Sequence, residues 1–171
     1  MLVDSHCHLN YGGLAEQIPD VIRRANEAGV SHMVSICSRL SEFETISQVA
    51  DIYDNVYCSV GIHPHDTGNE PETDVETLVA LAKHPKTIGI GETGLDFYYD
   101  NSPHNSQENS FRTHIGAARE TGLPLIVHTR EADDKTIGIL REAYADGPFP
   151  GRRVASQGPD GSDGAAAPPG G

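Results

Sequence analysis

The chain has 171 residues and a mass of 18.3 kDa, room for one domain of ordinary length. Its 12 Lys and Arg stand against 25 Asp and Glu, a formal net charge of −13. That balance argues against a tight, non-specific nucleic-acid binder and against adhesion to an anionic membrane, both of which need basic surface.

Strand-like and helix-like segments alternate along the chain. Leu2 to Leu9 reads as a first strand. A helix follows from about Leu14 to Ala28, with Ala15, Ile18, Ile22 and Ala25 at near-helical spacing and Gly29 as its stop. Val30 to Cys37 is a second strand. Ser41, with Glu44 three residues on, has the form of a capping box for a helix to about Tyr53. Val56 to Ile62 is a third strand, followed by a polar loop over His63 to Thr73 and a helix over Asp74 to Lys83. Thr87 to Glu92 is a fourth strand, Ser106 to Glu120 a helix ending at Gly122, Leu123 to His128 a fifth strand, and Glu131 to Tyr144 a last helix. Five βα units in succession predict parallel α/β architecture.

Residues 151–171 differ in kind. Thirteen of these 21 are Gly, Pro or Ala, and Val154 is the one large aliphatic residue. Such a segment buries too little apolar area to offset its ordering entropy, so a disordered tail is predicted after a domain over residues 1–150.

No run approaches the roughly 18 apolar residues of a membrane span. The start, Met1 to His6, lacks the charged and apolar regions of a signal peptide. Cys7, Cys37 and Cys58 form no CxxC pair and read as reduced, buried thiols of a cytoplasmic protein.

The polar exceptions on the strands carry the chemistry. His6 and His8 close the first strand two residues apart, hence on one face. His63 follows the third strand, Glu92 closes the fourth and His128 the fifth. In parallel α/β folds the carboxyl ends of strands gather on the face where sites are built. Imidazoles and a carboxylate converging there suit one divalent cation or a pair, and the corresponding chemistry is hydrolysis by metal-activated water. Arg130 is placed to hold a phosphate or to pair at a helix end. His65, after Pro64, is expected to point into a loop, and Asp96 to orient a ligand or, as the favoured reading, to cap a turn. His32, His84, His104 and His114 read as ordinary positions. There is no G-x-S-x-G elbow, P-loop or dinucleotide turn.

Four segments, Val3-Asp4-Ser5-His6-Cys7-His8-Leu9, Val60-Gly61-Ile62-His63-Pro64-His65, Ile90-Gly91-Glu92-Thr93-Gly94-Leu95-Asp96-Phe97-Tyr98-Tyr99 and Pro124-Leu125-Ile126-Val127-His128-Thr129-Arg130, together resemble the TatD family of metal-dependent deoxyribonucleases. The resemblance runs from residue 1 to about 150. It implies a TIM-barrel hydrolase that cleaves DNA phosphodiesters with a two-ion site, Mg²⁺ first and Mn²⁺ or Zn²⁺ as alternatives. It implies that His6 and His8 bind one metal, Glu92 bridges two, His128 binds the second, and His63 lies near the scissile phosphate.

A complete (β/α)8 barrel takes about 250 residues. An incomplete barrel of about five βα units is therefore expected. The family's barrel continues with a metal-binding His and Asp, and no His follows His128 here. Two of six ligands lack a counterpart, and the abrupt change of composition suggests a shifted reading frame. Activity is expected to be impaired, and the open sheet edges are expected to favour self-association. The other readings are an amidohydrolase-type enzyme acting on a small amide or ester, and an inactive metal-binding fragment.

Overall fold

The computed structural model describes residues 1–147 and 149. The predicted tail over 151–171 lies outside the described residues.

The five predicted strands form one parallel sheet in sequence order: β1 (Leu2–Cys7), β2 (Val30–Ser35), β3 (Val56–Val60), β4 (Thr87–Asp96) and β5 (Leu125–Arg130). Five helices alternate with them: α1 (Ile18–Glu27), α2 (Phe43–Ile52), α3 (Val75–Leu81), α4 (His104–Thr121) and α5 (Asp133–Ala145). The result is an incomplete barrel, a five-stranded arc with its helices on the outer side.

The arc must be strongly curved. Strands in a sheet lie about 4.8 Å apart, so β1 and β4, separated by two strands, would stand about 14 Å apart if the sheet were flat. Yet the His6 and Glu92 side chains, one from each, approach to 3.3 Å. β4 makes the bend sterically feasible through its glycines. Gly61, just after β3, lies so close to β4 that a Cβ there would sit 2.5 Å from Gly91 Cα. Gly94 pairs with His128, has φ +136°, and a Cβ on it would come within 2.0 Å of the His128 carbonyl oxygen. Only glycine suits that backbone and that approach.

The main core lies between sheet and helices. Ile22 of α1, Met33 of β2, Ile46 and Ala50 of α2, Val56, Cys58 and Val60 of β3, and Leu78 of α3 are all buried there. A second cluster joins Leu95 at the end of β4 to Phe111 and Ile115 of α4 and Ile139 of α5. β3 and β4 are buried along most of their length, whereas among the described residues β1 and β5 are paired on one side only: Leu2 and Val3 of β1 remain 61% and 59% exposed, and Val127 of β5 39%.

Several boundaries differ from expectation, each for a local reason. Residues Ala15–Gln17 form a short 3₁₀ turn, so α1 begins only at Ile18, with Pro19 in its first turn. Ser41 does not cap α2. It lies in a second 3₁₀ turn, Leu40–Glu42, and its N–H and hydroxyl both donate to the Glu70 carboxylate. Asp74 does cap α3, accepting the Thr77 N–H at 2.8 Å. β4 does not end at Glu92 but continues four residues, because β5 offers partners as far as Asp96↔Arg130.

A Gly94→Ala substitution is expected to cost roughly 2–5 kcal/mol, combining backbone strain with the forced separation of β4 from β5. Urea denaturation checks this, and an unchanged midpoint would contradict the close approach described above.

Candidate metal centre

The carboxyl ends of β1, β4 and β5 and the β3–α3 connection converge on Glu92. This side chain is 11% exposed, and its two oxygens face different partners. Oε2 lies 3.3 Å from Nε2 of His6, and Oε1 lies 3.4 Å from Nδ1 of His128. Two donor sets result, His6–His8–Glu92 and His63–Glu92–His128, each with atoms within 4.8 Å of one another, and Glu92 belongs to both. His6, His8, His63, Glu92 and His128 are thus brought together as expected, although Glu92 and His128 lie within β4 and β5 rather than at their ends.

The electrostatics follow from this crowding. Burial alone would raise the Glu92 pKa, but the contact with His128 and the nearby His63 and His6 rings hold it below the usual carboxylate range. The same contact raises His128, against its burial and with support from Asp96. His8 is lowered by burial and by the His6 charge, and its Nδ1 is buried with no hydrogen-bond partner among the described residues. An unpaired buried imidazole nitrogen beside a carboxylate shared between two His groups fits a divalent cation better than a self-satisfied polar cluster. Stacking of Tyr11 on the His8 ring, with centroids 4.4 Å apart, holds that ring in place.

His63 differs from the other histidines of the cluster. Its Nδ1 accepts the His65 backbone N–H at 3.2 Å, and burial lowers its pKa to about 4. The neutral ring therefore carries its proton on Nε2. It offers a hydrogen-bond donor to the site where a metal ligand would need a lone pair.

One expectation is overturned here and one is met in part. His65 does not point into a loop: its Nε2 donates to Asp96 Oδ2 at 2.7 Å. Asp96 does more than cap a turn. Its Oδ1 accepts the N–H groups of Tyr98 and Tyr99 at 3.1 Å each, as a turn cap does, while Oδ2 also accepts from Nε2 of His128 at 2.9 Å. Burial would raise its pKa, but the Tyr99 amide and the His65 and His128 rings bring it down to about 2.

Arg130 makes no helix-end ion pair among the described residues. Its guanidinium lies over the Tyr98 and Tyr99 rings, 4.2 and 4.8 Å from their centroids. Arg39 was not anticipated, since nothing in Ser38-Arg39-Leu40 marks it. With His8, Tyr11, His63, Glu92 and Asn101 it lines a cleft of about 410 Å³, and it bonds Asp66 at 2.7 Å and Glu42 at 3.0 Å.

His114 was also missed. It is fully buried in α4, donates from Nδ1 to the Ser110 carbonyl at 2.7 Å, and accepts the Ile62 N–H at Nε2, 3.0 Å away. It thereby anchors the backbone immediately before His63. Its neighbours Thr113 and Ile115 give no sequence signal for this, because the partner is 52 residues away. The three cysteines are free, and burial raises the Cys7 and Cys37 thiols to about 12, which favours the neutral thiol over the thiolate.

The fold and site together are an incomplete βα barrel with imidazoles and a shared carboxylate gathered as a candidate metal centre on one rim. The chain belongs to the family described as TatD related DNase, whose sequence model matches residues 3–153. It is 40% identical over 144 residues to the uncharacterized metal-dependent hydrolase YcfH of Escherichia coli (strain K12), covering 82% of this chain and 54% of that protein. It is 31% identical over 141 residues to the 3′-5′ ssDNA/RNA exonuclease TatD of Edwardsiella piscicida, again covering 82% of this chain and 54% of the relative. The crystal structure of YJJV, a TatD homolog from Escherichia coli K12, shares the fold with a TM-score of 0.74 at 23% identity, over 83% of this chain and 56% of that one. The chain spans about half the length of the curated relatives it matches.

Burial pushes the His114 pKa down to about 4, below the ordinary 6.5. Between these values the unfolded chain holds a proton that the folded chain does not. Stability is therefore expected to fall as pH drops from about 6.5 towards 4, and this contribution levels off below that. His114→Gln should flatten the slope by about one proton, roughly 1.4 kcal/mol per pH unit. Urea denaturation across this range checks it; an identical slope in the variant would contradict it.

Proposed function

We propose that this protein is a metal-dependent hydrolase of the deoxyribonuclease type, cleaving DNA phosphodiester bonds with Mg²⁺, or with Mn²⁺ or Zn²⁺ in the same donor set. The observation that carries this reading is the division of Glu92, one oxygen toward His6 and the other toward His128. A relative named as an ssDNA/RNA exonuclease supports nucleic acid as the substrate. The reduced state of Cys7, Cys37 and Cys58 supports a cytoplasmic location.

His6, His8 and Glu92 would hold one cation, and Glu92 with His128 the other. A divalent cation bound there polarises a phosphoryl oxygen and lowers the pKa of a bound water. His63, neutral and protonated on Nε2, donates a hydrogen bond to a phosphoryl oxygen in the cleft. Arg130, stacked on two tyrosine faces, keeps the edge of its guanidinium available for a second phosphate contact. The acidic balance of the chain does not oppose a polyanionic substrate, because bound cations supply the local positive charge. For these 171 residues taken alone low activity is expected, since two ligands of the family's set have no counterpart among them.

Nucleotide release from a single-stranded oligonucleotide with Mg²⁺ or Mn²⁺, set beside a panel of small amides and esters, tests the reading. Metal-dependent release lost in Glu92→Gln is the expected result. Turnover of amides with none of DNA would favour an amidohydrolase-type enzyme, and no hydrolysis at high protein concentration an inactive metal-binding fragment.

We also propose self-association through the open edges. Among the described residues β1 and β5 present unpaired backbone beside exposed Leu2, Val3 and Val127, the condition under which strands pair between chains. Sedimentation is expected to shift with concentration, and Val3→Lys to weaken that shift. A monomer at all concentrations would refute self-association.

A further inference from the structure

The Asp96 carboxylate is fully buried, and each of its oxygens accepts two hydrogen bonds. An ionised carboxylate accepts only, so both facing imidazoles must carry their proton on Nε2. The lone pair of each neutral ring then lies on Nδ1. For His128 that atom is the one 3.4 Å from Glu92 Oε1, inside the second donor set. Glu92 competes for a proton there, but the 2.9 Å bond to the fully buried Asp96 carboxylate is the shorter and better formed of the two. Asp96 is itself held from behind. Gln107, also fully buried, accepts the Asp96 N–H at 2.8 Å and donates to the Asp96 carbonyl at 3.1 Å and the Ser102 carbonyl at 3.0 Å. Neither end of this residue is free to turn.

We infer that Asp96 is a positioning residue of the candidate centre: its carboxylate fixes the tautomers of His65 and His128 and so selects Nδ1 of His128 as the atom presented to a cation. Carboxylate–imidazole pairs behind a metal position orient the ring and strengthen the ligand, and losing one typically weakens metal affinity about 10–100-fold. The claim about tautomers stands on the hydrogen bonds alone, whereas the claim about cation affinity rests on the metal-hydrolase reading above.

Asp96→Asn separates these claims because it keeps shape and removes charge. To keep the Tyr98 and Tyr99 amides paired, the Asn oxygen must stay where Oδ1 is. Its NH₂ then faces both rings, Nε2 of each becomes an acceptor, and the protons move to Nδ1. A proton on Nδ1 blocks the donor atom.

Long-range ¹H–¹⁵N correlation spectra of the metal-free protein at mildly alkaline pH read the tautomers directly. The expected result is Nε2–H on His65 and His128 in the native protein and Nδ1–H on both in the variant. Titration with Co²⁺, followed by visible absorption, is expected to show affinity about 10–100-fold weaker in the variant. Nδ1–H on His128 in the native protein overturns the inference whatever the variant does. So do unchanged tautomers in the variant, or unchanged Co²⁺ affinity despite swapped ones. If the native protein binds no Co²⁺ the metal reading falls, and the tautomer pair alone then decides the role of Asp96.

Discussion

The curvature of the sheet is the constraint on which the site depends. Side chains on a flat parallel sheet stand roughly perpendicular to it, and ligands from the first and fourth strands would never meet. Here His6 and Glu92 are in contact, with His128 arriving from the opposite side. Curvature in turn depends on small residues where strands crowd. Gly61 against Gly91, and Gly94 against the His128 carbonyl, are the places where any side chain would push the arc open. The glycines of the fourth strand are therefore part of the site, although none of them bears a functional group.

Two carboxylates four residues apart on β4 divide the work between them. Glu92 faces the concave rim and is shared by two groups of histidines. Asp96 lies deeper and is saturated with hydrogen bonds. The first is left with crowded, partly unsatisfied geometry, the condition under which a cation is stabilising. The second is fully satisfied, the condition under which a buried charge is tolerated and its neighbours are held rigid. One strand supplies both because its continuation past Glu92 carries Asp96 to the register of Arg130.

Much of this was legible in the sequence. The five βα units follow from alternating apolar runs and amphipathic stretches. The convergence of His6, His8, His63, Glu92 and His128 follows from their places late in or just after parallel strands, though β4 and β5 run further past Glu92 and His128 than the sequence suggests. What escaped depended on contacts distant along the chain. Ser41 has the local pattern of a cap, but Glu70, 29 residues away, competes for its hydroxyl and N–H. His65 follows a proline and reads as loop until Asp96, 31 residues on, captures its ring. His114 sits on an ordinary helix and shows its importance only through the Ile62 amide. Local signals define elements and their ends. They do not reveal which polar group will find a partner across the fold.

The sheet order has a consequence in time. Each strand pairs with its immediate predecessor in the chain, so every unit docks on an edge already present and no strand must wait for a distant partner. Such sequential pairing suits folding during synthesis, where N-terminal segments form first. His6 and His8 would then emerge at the outset and His128 with the last of the five strands. The cluster would be assembled in the order of translation, its earliest imidazoles held in reserve until the fifth strand closes the set around Glu92.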